Sequence, residues 1–413
     1  MKRTTTVIIG AGQSGIAMSY QLARSGVEHV VLERGQVANS WRKERWNSLR
    51  LLTPNWMNGL AGSDTDIRHP EGFTHVSTFI DRFDATVARN NSPVQQETTV
   101  LSVRPCTGGY QVQTDQGMIA CNSVVMANGA CALPKVPECS REIPGDIAQF
   151  TPLDYKCPSD VPGGDVLVVG ASASGLQIAQ ELQCSGRDVT LAVGNHLRLP
   201  RRYRGADILA WMEAIGAFSV PHTDVDDLDR VRRTPSLSLI GSDKPQALDL
   251  NALQEIGVRI TGRLSTMRDG KALFSGSLHN LCAAADQKLK RLLVSIDEWI
   301  AETAQTSVAA PEEQFVPTCV PDAPLLSMDL AVMKTRSIVW ATGYSPDFSW
   351  LEMPVFDRKG GLIHIGGLVA PGLYAMGQPY LRSRKSTHIH GAAEDALALA
   401  NHLTARLGHS VAA

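Results

Sequence analysis

The sequence predicts an α/β chain of two three-layer, Rossmann-like dinucleotide-binding units, the second inserted into the first. Three observations carry this expectation. The stretch "VIIGAGQSGIAMSYQLARSGVEHVVLERG" aligns without a gap on "VLVVGASASGLQIAQELQCSGRDVTLAVG", 160 positions later. Each copy reads strand, glycine turn, helix, strand within about 30 residues. The closing "GLYAMGQPYLRSRKSTHIHGAAEDALALANHL" offers a further strand, a loop and a helix from about Gly391, enough to return the chain to its first unit. The expected division is 1–160 and 335–413 for the two parts of the first unit, and 161–334 for the insert.

In the first copy, residues 7–9 form a short apolar strand, 10–15 turn sharply, 16–24 form a helix, and 30–32 form a second strand ending at Glu33. Gly10 permits the tight turn, Gly12 lets the backbone approach a pyrophosphate, and Gly15 lets helix and strand pack closely. The helix start offers free N–H groups and the positive end of a dipole to phosphates. Glu33 is placed to accept hydrogen bonds from ribose hydroxyls. A purely structural glycine turn leaves Glu33 unexplained.

In the second copy, Gly170-Ala171-Ser172-Ala173-Ser174-Gly175 repeats the geometry, with Ser172 for the middle glycine and Val193 where the first copy has Glu33. "HLRLPRRYRG" follows, with Arg198, Arg201, Arg202 and Arg204. A 2′-phosphate is repelled by an acid and held by a guanidinium fork. The second unit is therefore expected to take NADPH; the competing reading is a solvated basic loop. Two dinucleotides in one chain imply hydride passing between them, and the resident one is most simply FAD.

Bulk composition narrows the class. Apolar residues make up 43% of the 413 and charged residues 19%, which is globular rather than disordered. A net charge of −2 gives no global pull toward nucleic acid or acidic membranes. The eight Cys show no CxxC pair, which fits a reducing cytoplasm. No apolar run reaches the roughly 18 residues of a membrane span, and the N-terminal run is too short for a signal segment.

Residues 36–58 hold "NSWRKERWNSLRLLTPNW", whose Trp41 and Arg42 are the candidates to touch a flavin; the alternative is an amphipathic surface loop. "QQETTVLSV", "GGYQVQTDQG" and "NSVVMANGA" read as short strands. A Pro-rich connector from 130 to 164 marks a domain crossing. A long helix is expected at 279–303, and "TDVDDLDRVRR" reads as a solvated helix, not a metal site. "RSIVWATGYSPDFSWL" is another strand with a small-residue turn. His388 and His390 lack a third ligand, so no metal is expected. The helix from about Gly391 would favour the negative charge of a reduced flavin pyrimidine.

Taken together, GAGQSG, "SWR", "VVMANG", GASASG, "WATGY" and "GQPYLRSRKS" resemble the class B FAD- and NADPH-dependent flavoprotein monooxygenases, over nearly the whole chain. The nearest resemblance is to flavoproteins of bacterial nitrilase gene clusters. It implies FAD contacts at Gly10, Gly12, Gln13, Ser14, Gly15, Glu33, Arg34, Trp41, Arg42, Val100, Asn128, Gly129, Gly377, Gln378, Ser386 and Thr387. It implies NADPH contacts at Gly170, Ser172, Ala173, Ser174, Gly175, Arg198, Arg201, Thr342 and Gly343. It further implies that NADPH reduces FAD, that oxygen adds at the flavin C4a, and that one atom passes to a small-molecule nitrogen, sulfur or carbonyl centre. Asn55, His388 and Gln378 are the candidate catalytic residues. The chain departs from the family linker motif, with Ile143 for Phe and Gln149 for His, and has Asn128 where Thr is usual. Two rivals stay open: an NADPH-dependent flavin reductase serving a quinone-like acceptor, and a non-catalytic FAD-binding redox sensor. No membrane or nucleic-acid partner is expected, and the oligomeric state is left open, a homodimer being one option.

Overall fold

The structure, a computed structural model, describes residues 2–63, 69–242, 248–303 and 309–411. From the N-terminus come β1 (Lys2–Ile9), α1 (Gln13–Arg24), β2 (His29–Leu32), α2 (Val76–Arg89), β3 (Val94–Gln95), β4 (Val100–Cys106), β5 (Gly109–Thr114) and β6 (Gly117–Met126). The middle of the chain supplies β7 (Ala148–Phe150), β8 (Asp165–Val169), α3 (Ala173–Cys184), β9 (Val189–Ala192), α4 (Ile208–Ala214), β10 (Arg259–Thr261), β11 (Leu264–Arg268), β12 (Lys271–Phe274) and α5 (Leu278–Glu302). β13 (Ser327–Asp329), β14 (Thr335–Trp340), β15 (Leu368–Ala370), β16 (Leu373–Ala375) and α6 (Gly391–Val411) complete it.

The first sheet has eight strands, in the order β15-β16-β6-β1-β2-β3, with β5 pairing β6 and β4 pairing β5. β1 runs parallel to both β2 and β6, and Val7, Ile8, Val124 and Val125 are fully buried. Helices cover both faces of a parallel strand, so it must be apolar on both sides; that is why "VII" and "VVM" are continuous rather than alternating. β16 pairs parallel with β6, Leu373 beside Val124, so the last segment does rejoin the first unit.

The second sheet is five parallel strands, β10-β9-β8-β14-β7. It takes in β7 and β14, which fall outside the expected 161–334. "SIVW" announces a strand, but an apolar run does not say which sheet it will join. The three strands β11-β12-β13 form a separate antiparallel sheet whose Met267, Phe274 and Met328 share a core with Leu167 and Trp340. A further apolar cluster joins α4 to α5 through Ile208, Leu209, Phe218, Ile296 and Ile300.

Helix α5 lies within one residue of its expected bounds because its buried Leu278, Cys282, Ala285, Leu289, Ile296 and Ile300 keep helical spacing. The Asp-rich patch contains a short helix, Leu228–Arg232, capped by Asp227, which accepts the Arg230 N–H at 2.8 Å. Among the described residues, no group of three His, Cys, Asp or Glu could hold a metal ion. Among them too, no helix is long and apolar enough to cross a membrane.

Candidate functional site

The glycine turn after β1 shows the mechanical roles its spacing suggests. Gly10 has φ +105°, and a Cβ there would lie 2.6 Å from the Ala127 carbonyl oxygen. A Cβ on Gly15 would lie 1.9 Å from the Gly10 oxygen, so only glycine lets α1 approach β1. Gly12 instead meets nothing within 4 Å, which leaves its backbone open to a ligand. Gly12 is also the N-cap of α1, and no side chain satisfies the first-turn N–H groups.

Glu33 is buried at the end of β2. It accepts N–H groups from Ala11 at 2.8 Å and Gly35 at 3.0 Å, one on each carboxylate oxygen. A carboxylate has about four acceptor sites, so two remain for sugar hydroxyls. The same residue therefore holds the glycine loop in shape and keeps acceptor capacity facing the ligand.

A cleft of about 280 Å³ runs over this loop. Gly10, Gly12, Gln13, Ser14, Glu33, Arg34, Trp41, Val100, Asn128, Gly129, Gly377 and Thr387 all line it. The Trp41 indole N–H reaches Gln13 Oε1 at 3.3 Å, and its ring meets Phe79 edge-on at 4.9 Å. Asn128 donates to the Asp347 carbonyl at 2.7 Å, while its own Oδ1 is buried without a partner. An orphaned buried acceptor on the wall, open backbone at Gly12 and an uncapped helix start all fit a bound dinucleotide such as FAD. Sequence reasoning missed Arg45, Thr98, Thr99, Cys131, Asp347 and Trp350, which also line the cleft. Thr98 and Thr99 adjoin Val100, and Cys131 follows "NGA"; Asp347 and Trp350 arrive from a distant loop that no local pattern marks.

Several expected contacts do not line the cleft. Gly15 packs behind it. Arg42 forks onto Asp84 and donates to the Val37 carbonyl at 2.8 Å, so it braces the short helix Asn39–Lys43 against α2. Ser386 is buried and accepts the N–H groups of Arg382 and Ser383 at 3.1 and 3.3 Å, shaping the turn before Thr387. Gln378 is buried beside Gly377, its Nε2 without a hydrogen-bond partner. Asn55 is committed to a turn, donating to the His69 carbonyl at 2.9 Å and accepting from Thr74 at 2.5 Å. His388 packs 5.1 Å from the Phe218 ring; burial, with His390, Arg384 and Lys385 nearby, pulls its pKa down to about 4. His390 has its Nδ1 3.1 Å from the Met57 carbonyl oxygen. Neither Asn55 nor His388 touches the cleft.

The second turn copies the first. A Cβ on Gly170 would lie 2.3 Å from the Ala341 oxygen, and one on Gly175 would lie 1.8 Å from the Gly170 oxygen. Ser172 caps α3 without a side-chain hydrogen bond, leaving the first turn of Ala173 and Ser174 open. Thr342 and Gly343 sit in the adjoining loop, where Gly343 accepts the Lys135 N–H at 2.9 Å and Thr342 donates to the Lys135 carbonyl.

The expected arginines are not free. Arg198 is buried and paired with Asp249 at 2.9 Å and Asp286 at 2.8 Å. Arg201 is 5% exposed and grips Asp207 at 2.5 Å, the Leu52 carbonyl at 2.8 Å and the Phe73 ring at 4.7 Å. Arg204 pairs with Asp297 at 2.8 Å, and Arg202 donates to the Gly205 carbonyl. Burial of a cation demands a carboxylate partner, and these carboxylates take up the guanidinium donors meant for a phosphate. Arg198 and Arg201 are each engaged by carboxylates of the chain itself.

The sequence pattern of one family, described as pyridine nucleotide-disulphide oxidoreductase, matches residues 7–213, from β1 through the second glycine turn into α4. The chain belongs to this family. An uncharacterized oxidoreductase, CzcO-like, of Geobacillus kaustophilus is 26% identical over 96% of this chain and 97% of its own length. Among solved structures that share the fold are the following two. A flavin-containing monooxygenase from Stenotrophomonas maltophilia matches with a TM-score of 0.67 and 17% identity, covering 98% of this chain and 99% of that one. A bacillithiol disulfide reductase from Bacillus cereus matches with a TM-score of 0.62 and 15% identity, covering 98% and 100%. This member of the family thus has the double-dinucleotide fold that its repeated glycine turns announce.

Proposed function

We propose that the protein is an FAD- and NADPH-dependent monooxygenase of a small molecule. FAD in the first cleft and NADPH at the second glycine turn would supply hydride transfer and oxygen activation. The chain's own residues bind, orient and seal. The α1 N-terminus and Gly12 backbone receive phosphate, Glu33 accepts sugar hydroxyls, and Trp41 closes the cleft against Phe79. His388 packs on Phe218 outside the cleft lining, and burial keeps its imidazole uncharged near neutral pH.

The observation that favours oxygenation over disulfide reduction is the cysteine inventory. All eight Cys are free, and among the described residues Cys131 alone lines the cleft. Burial pushes the Cys131 thiol above its usual value, so it stays protonated and has no partner thiol on the cleft wall. A disulfide reductase works through thiolates. The family description and the bacillithiol reductase likeness favour a second reading, electron transfer to another acceptor. Oxygen uptake measured with NADPH oxidation decides: the monooxygenase consumes one O₂ per NADPH in the presence of substrate. Substrate-linked NADPH oxidation without oxygen consumption supports the reductase.

A further inference from the structure

In each unit the strand before the glycine turn, the strand after its helix and a third strand run parallel side by side, and the matching registers expose a charge reversal. In the first, Leu32 pairs with Gln95, and the Glu33 N–H donates to the Gln95 carbonyl at 3.0 Å. In the second, Ala192 pairs with Thr261, and the Val193 N–H donates to the Thr261 carbonyl at 2.9 Å. Gln95 and Thr261 are therefore equivalent, and so are the residues two positions on, Glu97 and Arg263. Glu33 lines the first cleft, and Glu97 is exposed two residues past β3; Val193 and Arg263 hold the equivalent positions in the second unit.

Arg263 is held where this matters. Its carbonyl accepts the Ser275 N–H at 2.9 Å, and a Cβ on the preceding Gly262 would lie 1.9 Å from the Ser275 oxygen, so the turn is pinned tightly against the next strand. Arg263 Nη2 donates to Asn195 Oδ1 at 2.9 Å, three residues past the end of β9, and its Nε lies 3.9 Å from the Cβ position of Gly194. Both side chains are exposed, and no carboxylate pairs with Arg263 among the described residues. In this fold the residue closing the second strand meets the ribose 2′ position, where an acid favours a hydroxyl and an arginine favours a phosphate. Behind the turn, the buried His196 has its Nδ1 3.0 Å from the Gly194 carbonyl oxygen.

We propose that Arg263, oriented by Asn195, recognises the 2′-phosphate of NADPH, the task for which Arg198 and Arg201 are unavailable. This rests on the NADPH reading above. The test is equilibrium binding of NADP⁺ and NAD⁺ to the flavin-loaded protein by titration calorimetry. Wild type is expected to prefer NADP⁺. Arg263→Ala should weaken NADP⁺ about tenfold, as one charge-assisted contact predicts, and leave NAD⁺ within about twofold. Arg263→Glu, which restores the charge found at Glu97, should shift the preference toward NAD⁺. An unchanged NADP⁺/NAD⁺ ratio in both variants overturns the assignment while the NADPH reading stands. A wild type that binds neither nucleotide removes both.

Discussion

Arg201→Ala separates a cofactor contact from a structural one. Arg201 and Asp207 are 5% and 4% exposed, and the guanidinium also holds the Leu52 and Ile240 carbonyls at 2.8 and 3.3 Å. Asp207 in turn caps α4 by accepting the Leu209 N–H at 2.8 Å. Removing Arg201 strands that carboxylate and two carbonyls in the interior. Breaking a buried pair from one side costs about 3–5 kcal/mol. Asp207 keeps its bond to Leu209, which places the expected loss toward the lower end. Urea unfolding of the holoprotein reads it directly. The double variant Arg201→Ala/Asp207→Ala should be less destabilised than the sum of the two single changes by about 1–3 kcal/mol, since neither charge is then left alone. The NADP⁺/NAD⁺ ratio of folded Arg201→Ala should match wild type. A variant of wild-type stability with a lowered NADP⁺ preference would refute the structural role and restore Arg201 to the phosphate site.

Three further outcomes follow from the same geometry. Gly15→Ala cannot be accommodated without shifting α1, because its Cβ would fall 1.9 Å from the Gly10 oxygen; the purified variant should carry little flavin while Gly145→Ala, where a Cβ meets nothing within 4 Å, should keep it. Glu33→Gln puts an amide donor against a backbone N–H that now meets a carboxylate, and should lower flavin retention by about tenfold or more, read by visible absorbance after dialysis. His388 and His364 are drawn by burial from 6.5 to about 4, so the unfolded chain takes up protons before the folded one, and stability falls as pH drops from about 6.5 toward 4. Asp395, pushed up from 3.8 to about 6 by burial, acts oppositely over the same range and is outnumbered. The urea midpoint should therefore fall between pH 6.5 and 4.5, and less steeply in His388→Phe; equal slopes in variant and wild type would contradict this origin.

Much of the fold was legible because its signals are local. A glycine whose Cβ would collide with a carbonyl is visible as a glycine, and "VIIGAG" runs directly into the helix it feeds, which starts at Gln13. Helix α5 follows from apolar spacing alone. The cleft was legible where it is built from those same turns, at Gly10, Gly12, Ser14 and Glu33. It was not legible where distant loops complete it, at Asp347 and Trp350. Arg42, Ser386 and Asn55 look like binding residues in the sequence because they are polar and near the motifs; each is spent on a backbone or side-chain partner that only the packed structure brings close.

The sequence alone thus determined the repeated strand–turn–helix units and the acid that closes one of them, because backbone sterics and hydrogen-bond capacity act within a few residues. Tertiary structure decided which charges remain available to a ligand. Asp249 and Asp286 lie 51 and 88 residues from Arg198 and neutralise it, whereas Arg263 reaches the end of β9 only because β10 is registered beside it. Electrostatic partnership depends on distance through space and on burial, and neither is written in the order of the residues.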